Sequence, residues 1–477
     1  MSTVVRKSAI DQLLSARPSL VTVGADVLAD ALDAQGVAPT RVDWRPPVVG
    51  CERALATIAA APAVQPANRE ALRRMLAVRP QVVDIIPAHE AMPALTEGTF
   101  LHAGPPLTWE RASGPMRGAL IGAMMYEGLA DTPERAERLA DSGGISLQPC
   151  HHHRAVGPMA GVISRSMPVF VVRDRDGDGV AYATLNEGLG KVLRYGAFAP
   201  EVIERLRWMQ AVLGPVLGQA LRRTGPVDLL ALIANALQMG DEGHNRHRAG
   251  TSMFLRAIGA SLVEGADGSA SSTVADRAAV FRFIDGNDYF VLNLVMAAAK
   301  LMVSAAADVP GSSVVVTMAR NGTDFGIRMA GTGERWFTAP APVIDGLYLG
   351  SYGAKDANPD IGDSAITETI GLGGFAMAAS PAIVGVVGGT AASAIERTLA
   401  MYEITLSEHP LFQAPILESR GLPFGIDATR VVRTGVRPQI NTGIAGRVAG
   451  TGMVGAGLVE APMKCFADAV KALAESL

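Results

Sequence analysis

Two short stretches of this 477-residue chain concentrate the side chains that could do chemistry. In the first, Gln238–Ser252, the polar residues Asp241, Glu242, His244, Asn245, Arg246, His247, Arg248, Thr251 and Ser252 lie between the apolar runs Leu229–Leu237 and Met253–Leu255. The second is Cys150-His151-His152-His153-Arg154. Guanidinium forks hold phosphate or carboxylate bidentately, and amides and hydroxyls complete such a shell. Arg154, Arg246 and Arg248, with His151, Asn245, Thr251 and Ser252, therefore form a candidate anion-binding set. Histidine is the usual acid/base side chain at neutral pH, which makes His153 and His244 the candidate acid/base groups, with Asp241 or Glu242 orienting one of them.

Geometry limits how these groups can combine. On an extended strand His151 and His153 would share a face and His152 would point away. His244 and His247 have helical i,i+3 spacing, and with the triple histidine they could be imagined around a metal. No HExxH or other established ligand spacing is present, so no metal or cofactor is assigned, although spacing alone leaves a metal open. Asn321 and Asp324, in Asn321–Gly326, are turn-presented polar groups that could join an anion site or simply make a hairpin. Cys150 beside His151 is not read as a nucleophile pair, because neighbouring side chains seldom meet productively.

The elements that must position these groups read as α/β and multi-domain. Ser19–Gly24 reads as a strand, Ala25–Gln35 as a helix with Val27, Leu28, Ala31 and Leu32 on one face, and Arg41–Trp44 as a second strand. That spacing is a βαβ unit. Ile10, Leu13 and Leu14 have helical spacing before it, and strands are expected at Val82–Ile86 and Phe100–Ala103. Residues 1–108 are thus expected to form a Rossmann-like N-terminal domain. No GxGxxG follows its first strand, which argues against a nucleotide site there. A central α/β domain is expected in two parts, 109–199 and 263–390, around a helical subdomain at 200–262. The second part carries strands at Val280–Phe283, Val314–Met318, Asp324–Met329 and Trp336–Thr338, and a long apolar helix at Tyr289–Ala307. Residues 391–477 form a glycine-rich C-terminal segment. Its Gly450–Gly455 matches GxGxxG but leaves too little chain for a second strand, so it is not read as a dinucleotide fingerprint. Asp174–Gly179 lacks the twelfth-position acid of a calcium loop and reads as a hairpin turn.

Composition narrows the function classes. Hydrophobic residues are 49% of the chain, enough for sizeable cores, while a net charge of -4 gives no reason to expect nucleic acid or an anionic membrane. Three distant cysteines without a CxxC point to a reducing compartment. The first residues lack a secretory pattern, so a cytoplasmic location is expected. The uncharged run Thr369–Ile395 is broken by glycines and Pro381, so it reads as buried structure and not as a membrane span.

Several blocks together, Leu101–Pro106, Cys150–Gly161, Met239–Thr251, Asn321–Gly326, Gly331–Pro340 and Gly371–Ala382, resemble the YlbE-like family, from about Val21 to Ala472. The resemblance implies a subunit of a multi-protein carbamoyltransferase in allantoin or ureido-compound breakdown. It also implies an FdrA-like partner related to acyl-CoA synthetases, a third small subunit, and hence an oligomer. The implied reaction takes oxalurate and phosphate to oxamate and carbamoyl phosphate, with a small anionic ureido substrate. The Ser-Thr-Arg-Thr motif of other carbamoyltransferases is absent, so the site is a different solution or is completed by a partner. Two other readings stay open on the residues alone: a non-catalytic scaffold that docks FdrA-like partners, and a metal-dependent amidohydrolase.

Overall fold

The computed structural model describes residues 19–24, 26–42, 45–264 and 272–477. The helix expected from Ile10, Leu13 and Leu14, and the Asp43-Trp44 end of the second strand, lie outside the described residues. The fold is mixed α/β, as expected. The first strand, Val21–Val23, pairs in parallel with Thr40–Val42 across the helix Asp26–Asp33, so the predicted βαβ unit forms.

The expected boundary at 108 is corrected. Pro80–Pro87 leaves the βαβ unit and lies antiparallel to Pro168–Asp174, at the heart of a five-stranded sheet. Thr99–His102 pairs in parallel with Ser146–Pro149. The reason is burial: Val82, Ile85 and Phe100 belong to the largest apolar core, which a two-stranded unit could not cover. Asp174–Gly179 is the turn between Pro168–Asp174 and Val180–Thr184, as read.

The expected helical subdomain forms as helices but packs as a layer on that sheet. Pro200–Trp208 and Gly214–Thr224 are joined through a π turn at Met209–Leu213, and Gly218 lets its helix approach the sheet so closely that a Cβ there would sit 3.1 Å from the Ile85 carbonyl. Leu229–Gln238 and Arg248–Glu264 follow. The strand expected at Val280–Phe283 is instead part of the helix Val274–Asp285, opened by a Thr273/Asp276 capping box. Leu292–Ser304 is buried on every side from Leu292 to Val303. Such a helix is the centre of a core and not its cover. Lys300 is its one charged residue.

A second core sits between a four-stranded antiparallel sheet and a three-stranded one, and the C-terminal helix Met463–Ser476 packs into it. The four-stranded sheet holds Val315–Asn321 and Asp324–Met329. In the other, Asp345–Tyr348 and Gln439–Ala445 flank Met453–Glu460. The Gly450–Gly455 motif therefore runs into a strand and not a helix. Gly455 and Gly457 serve sheet packing, because a Cβ at either would lie 2.4 Å from the Leu347 carbonyl or 2.0 Å from that of Asp345. No helix among the described residues is long and apolar enough to cross a membrane. Most of the uncharged run is buried in consecutive short turns; every residue from Asp360 to Ser380 is buried.

Candidate functional site

Between the helices Leu229–Gln238 and Arg248–Glu264 the chain turns through Gly240 and Gly243, both at positive φ. Glu242 is fully buried at this turn. Its Oε1 accepts the backbone N–H groups of His244 and Asn245, and Oε2 accepts that of Arg246 at 3.0 Å. Asn441 Nδ2 donates to Oε1 at 3.1 Å. Burial pushes the Glu242 carboxyl up to about 8 although these N–H donors pull the other way. Asp241 Oδ2 accepts the Gly250 N–H at 2.8 Å. The expectation that Asp241 or Glu242 orients a histidine is therefore corrected. Asp241 takes up an orphan N–H in the first turn of the helix Arg248–Glu264 and Glu242 closes the turn before it, and those uses consume both.

The carboxylate that holds His244 is Glu368. Its Oε1 lies 2.8 Å from His244 Nδ1. Glu368 is itself fixed by the N–H groups of Gly374 at 3.1 Å and Asn441 at 3.2 Å, and by the Thr367 hydroxyl at 3.0 Å. Gly373 makes room for this, since a Cβ there would lie 2.1 Å from Glu368 Oε1. With Nδ1 held, Nε2 is the ring nitrogen through which His244 can move a proton. His247 donates from Nε2 to the His244 carbonyl at 2.9 Å, and burial drops it to about 3, so it is neutral and supports the turn.

The predicted anion set does not converge. Asn245 Nδ2 donates to Asn441 Oδ1, within the His244 cluster. Arg246 is half-buried, 3.8 Å from Asp241 Oδ1. Arg248 is exposed, 3.9 Å from Asp288, and Ser252 donates back to the Arg248 carbonyl at 3.0 Å. Thr251 donates to the Asp288 carbonyl at 3.2 Å. Asn321 Oδ1 accepts the Thr323 and Asp324 N–H groups while Nδ2 donates to the Pro105 carbonyl at 3.0 Å, and Asp324 pairs with Arg111 at 2.8 Å. Arg154 is exposed with φ 57. Among the described residues no hydrogen bond or ion pair joins Arg154, Arg248, Ser252, Asn321 or Asp324 to His244.

Cys150–His153 is a 3-10 turn, not a strand, so the expected alternation of His151 and His153 is corrected. Three residues per turn send His151 inward and leave His152 and His153 nearer the surface. His153 Nε2 lies 2.5 Å from Gln148 Oε1. His152 Nε2 accepts the Trp336 indole N–H at 2.9 Å. His151 Nε2 is 3.1 Å from Asp363 Oδ1 but off the hydrogen-bonding direction, and its ring stands edge-on to Trp336 at 5.8 Å. Asp363 in turn accepts the N–H groups of Gly104 at 2.8 Å and Gly157 at 3.0 Å. Gly104 (φ +85) sits so tightly that a Cβ would meet the Arg320 carbonyl carbon at 2.6 Å. We expect Gly104→Ala to destabilise the chain by at least ~1 kcal/mol, read as a lower urea midpoint, through both the positive φ and the clash.

Around His151 lie groups that the sequence reading did not single out. His102 is wholly buried, with Nδ1 donating to the Ala103 carbonyl at 2.8 Å and Nε2 without a partner. Lys300 and Arg328 are also buried, and each acts electrostatically on His151. Arg328 Nε has no partner, while its Nη2 lies 3.5 Å from the Gly333 carbonyl and 3.8 Å from Oε1 of the exposed Glu334. Glu368, Asp363 and Asn441 were missed because their partners are far away in sequence. Lys300 had a signal, as the lone charge in a long apolar helix. Among the described residues no group of three or more His, Cys, Asp or Glu side chains is arranged to hold a metal ion.

Comparison with known proteins gives these clusters a family. Residues 145–364, which include His151, Lys300, Arg328 and Asp363, match the family model described as oxamate carbamoyltransferase subunit AllG. Escherichia coli (strain K12) AllG, named an oxamate carbamoyltransferase subunit, is 43% identical over 419 residues, which cover 87% of this chain and 98% of that protein. The uncharacterized protein YahG of the same organism is 43% identical over 468 residues, 97% of this chain and 98% of its own length. A crystal structure of a conserved protein of unknown function from Enterococcus faecalis V583 superposes with a TM-score of 0.84 at 45% identity, covering 87% of this chain and 98% of that one. With this identity sustained over nearly all of AllG, the chain belongs to the family of the oxamate carbamoyltransferase subunit AllG.

Proposed function

We propose that the chain is a subunit of a carbamoyltransferase that cleaves a ureido acid with phosphate, oxalurate giving oxamate and carbamoyl phosphate. The observation that carries this reading is the 43% identity to AllG over 98% of that protein. In the reaction a phosphate oxygen attacks the carbamoyl carbon, the bond from that carbon to the amide nitrogen breaks, and the nitrogen leaves with a proton. The chain offers a group suited to that proton: His244, held at Nδ1 by Glu368 and able to donate from Nε2. Arg246, at the edge of this cluster, is the anion contact in this reading, with His153 a second candidate acid. The enzyme is proposed to be hetero-oligomeric, with an FdrA-like subunit and a third small one. The ureido substrate and phosphate are its reactants, and no resident cofactor is invoked.

The test is carbamoyl phosphate formation by the co-expressed subunits, with oxalurate and phosphate supplied. His244→Gln is expected to lower kcat by ~10²–10⁴-fold with assembly and melting temperature retained. Arg246→Ala and His153→Ala are expected to abolish turnover in the assembled enzyme. Wild-type rates in all three would discard this site. The scaffold reading has one observation in its favour: Asp241, Glu242, Thr251 and Asn321 spend their polar atoms on backbone groups or neighbouring amides. It would stand if the three variants turn over normally while surface substitutions break assembly.

A further inference from the structure

Four buried polar side chains in the second cluster are short of hydrogen bonds, although His151 Nε2 has Asp363 at 3.1 Å and Arg328 Nη2 has the exposed Glu334 at 3.8 Å. His102 and His151 are 0% and 3% exposed, Lys300 5% and Arg328 6%. Neither ring nitrogen of His151 makes a hydrogen bond, His102 Nε2 makes none, and Arg328 Nε makes none. Lys300 has no hydrogen-bond or ion-pair partner among the described residues. Native interiors satisfy such groups almost without exception, so a concentration of exceptions in one place marks a position where something else binds.

The protonation pattern says what kind of thing. Lys300 and Arg328 are donors only, and together they call for an anion. His102 spends its Nδ1–H on the Ala103 carbonyl, and burial lowers its pKa, so its Nε2 carries a lone pair with no donor. His151 is likewise lowered by burial, and its ring faces Asp363 through Nε2, leaving Nδ1 over. The Asp363 carboxylate, pinned by Gly104 and Gly157, adds a negative charge that acts on Lys300, His102 and His151 alike. A phosphate dianion suits the two cations but not the neighbouring carboxylate. Its single O–H can meet only one of the two imidazole lone pairs.

We infer that His102, His151, Lys300 and Arg328 form a binding site for a small carboxylate that also carries an amide N–H, the carboxylate meeting Lys300 and Arg328 and the N–H meeting an imidazole nitrogen. The members of the cluster that reach the surface are His152, Trp336 and Glu334, so entry is past them. Trp336 Nε1 is already engaged by His152, which leaves its ring as a wall against the His151 edge. The inference rests on the transferase reading for the choice of probe. It concerns binding alone, at residues other than His244 and Glu368.

The experiment is calorimetric titration of the full-length chain, alone and assembled with its co-expressed partners, with oxamate, oxalate and inorganic phosphate. Oxalate keeps the carboxylate and the adjacent carbonyl but has no N–H. Oxamate is expected to bind at least tenfold tighter than either comparator. Lys300→Met is expected to abolish oxamate binding, and His102→Phe to bring oxamate and oxalate to within about twofold of each other. If His102→Phe fails to fold, the Lys300→Met titration and the comparator ranking still decide. Oxamate binding unchanged in Lys300→Met overturns the site, as does no oxamate binding to wild type in either form. Phosphate or oxalate binding as tightly as oxamate overturns the ligand class. If oxamate binding behaves as expected while the assembled enzyme makes no carbamoyl phosphate, the transferase reading fails and the site stands.

Discussion

Lys300→Met is expected to raise the melting temperature of the unliganded chain. Burial pulls the Lys300 ammonium down to about 7 from its ordinary 10.5. A cation whose folded pKa is depressed opposes folding, and the penalty is full below pH 7, where both states are protonated. Between pH 7 and 10.5 the unfolded chain holds a proton that the folded chain has released, so stability climbs with pH across that window. The full penalty is roughly 3–5 kcal/mol. Methionine has similar length and no charge to desolvate, so it removes the penalty while still filling the space within the helix Leu292–Ser304. Thermal melts at pH 7 and pH 10 check this. The wild-type chain should gain stability relative to the variant as pH rises, and the two should converge. A variant less stable than wild type at pH 7 would mean that Lys300 is paired in the unliganded protein. Its role would then be structural.

Asp360→Ala is expected to do the opposite, costing about 3–5 kcal/mol. Arg320 is as deeply buried as Lys300 but is satisfied on every side. Nε and Nη2 fork onto Asp360 at 2.6 and 2.9 Å, Nη1 donates to the Gly362 carbonyl at 2.7 Å, and Nη2 also reaches Thr442 Oγ1 at 2.9 Å. Removing Asp360 strands a guanidinium that has no route to water, which is the costly half of any buried ion pair. Urea unfolding would show a lower midpoint at unchanged slope. Replacing both partners, as Arg320→Met with Asp360→Leu, should recover part of the loss because no charge is then left unpaired. If Asp360→Ala unfolds at the wild-type midpoint, the pair does not hold the junction between the four-stranded sheet and the Asp360–Ser380 stretch. The contrast between these two cations separates a group kept for structure from one kept for a ligand.

Local pattern carried much of the fold into the sequence reading. Asp324–Met329 was legible as a strand from its alternation, and the helices of 200–264 from their apolar spacing. Thr273 and Asp276 were a readable helix start that the β-branched and aromatic residues of Val280–Phe283 obscured. What local pattern could not carry was the assembly of sheets from distant strands, as with Pro80–Pro87 joining Pro168–Asp174. The site followed the same division. His244 and His151 stood out by residue type, but their carboxylates, Glu368 and Asp363, sit in a stretch with neither helical nor strand periodicity, so nothing nearby in sequence announced them. Dense polar runs also misled in one respect. Asp241 and Glu242 cluster because the buried turn and the helix start after it need acceptors, Glu242 for the N–H groups of His244, Asn245 and Arg246 and Asp241 for that of Gly250.

The buried stretch from Asp360 to Ser380 bears on which changes in chain length the protein can tolerate. By its secondary structure it would pass for a loop, the kind of segment in which relatives usually gain and lose residues. Yet it carries Asp360 to Arg320, Asp363 to His151 and Glu368 to His244 within nine residues of one another, each facing a different wall. One residue added between Asp363 and Glu368 would put Glu368 out of phase with His244 for as long as Asp360 and Asp363 keep their partners. Length variation should therefore fall elsewhere, in exposed turns such as Asp174–Gly179, while this irregular segment keeps its residue count as strictly as a helix keeps its pitch.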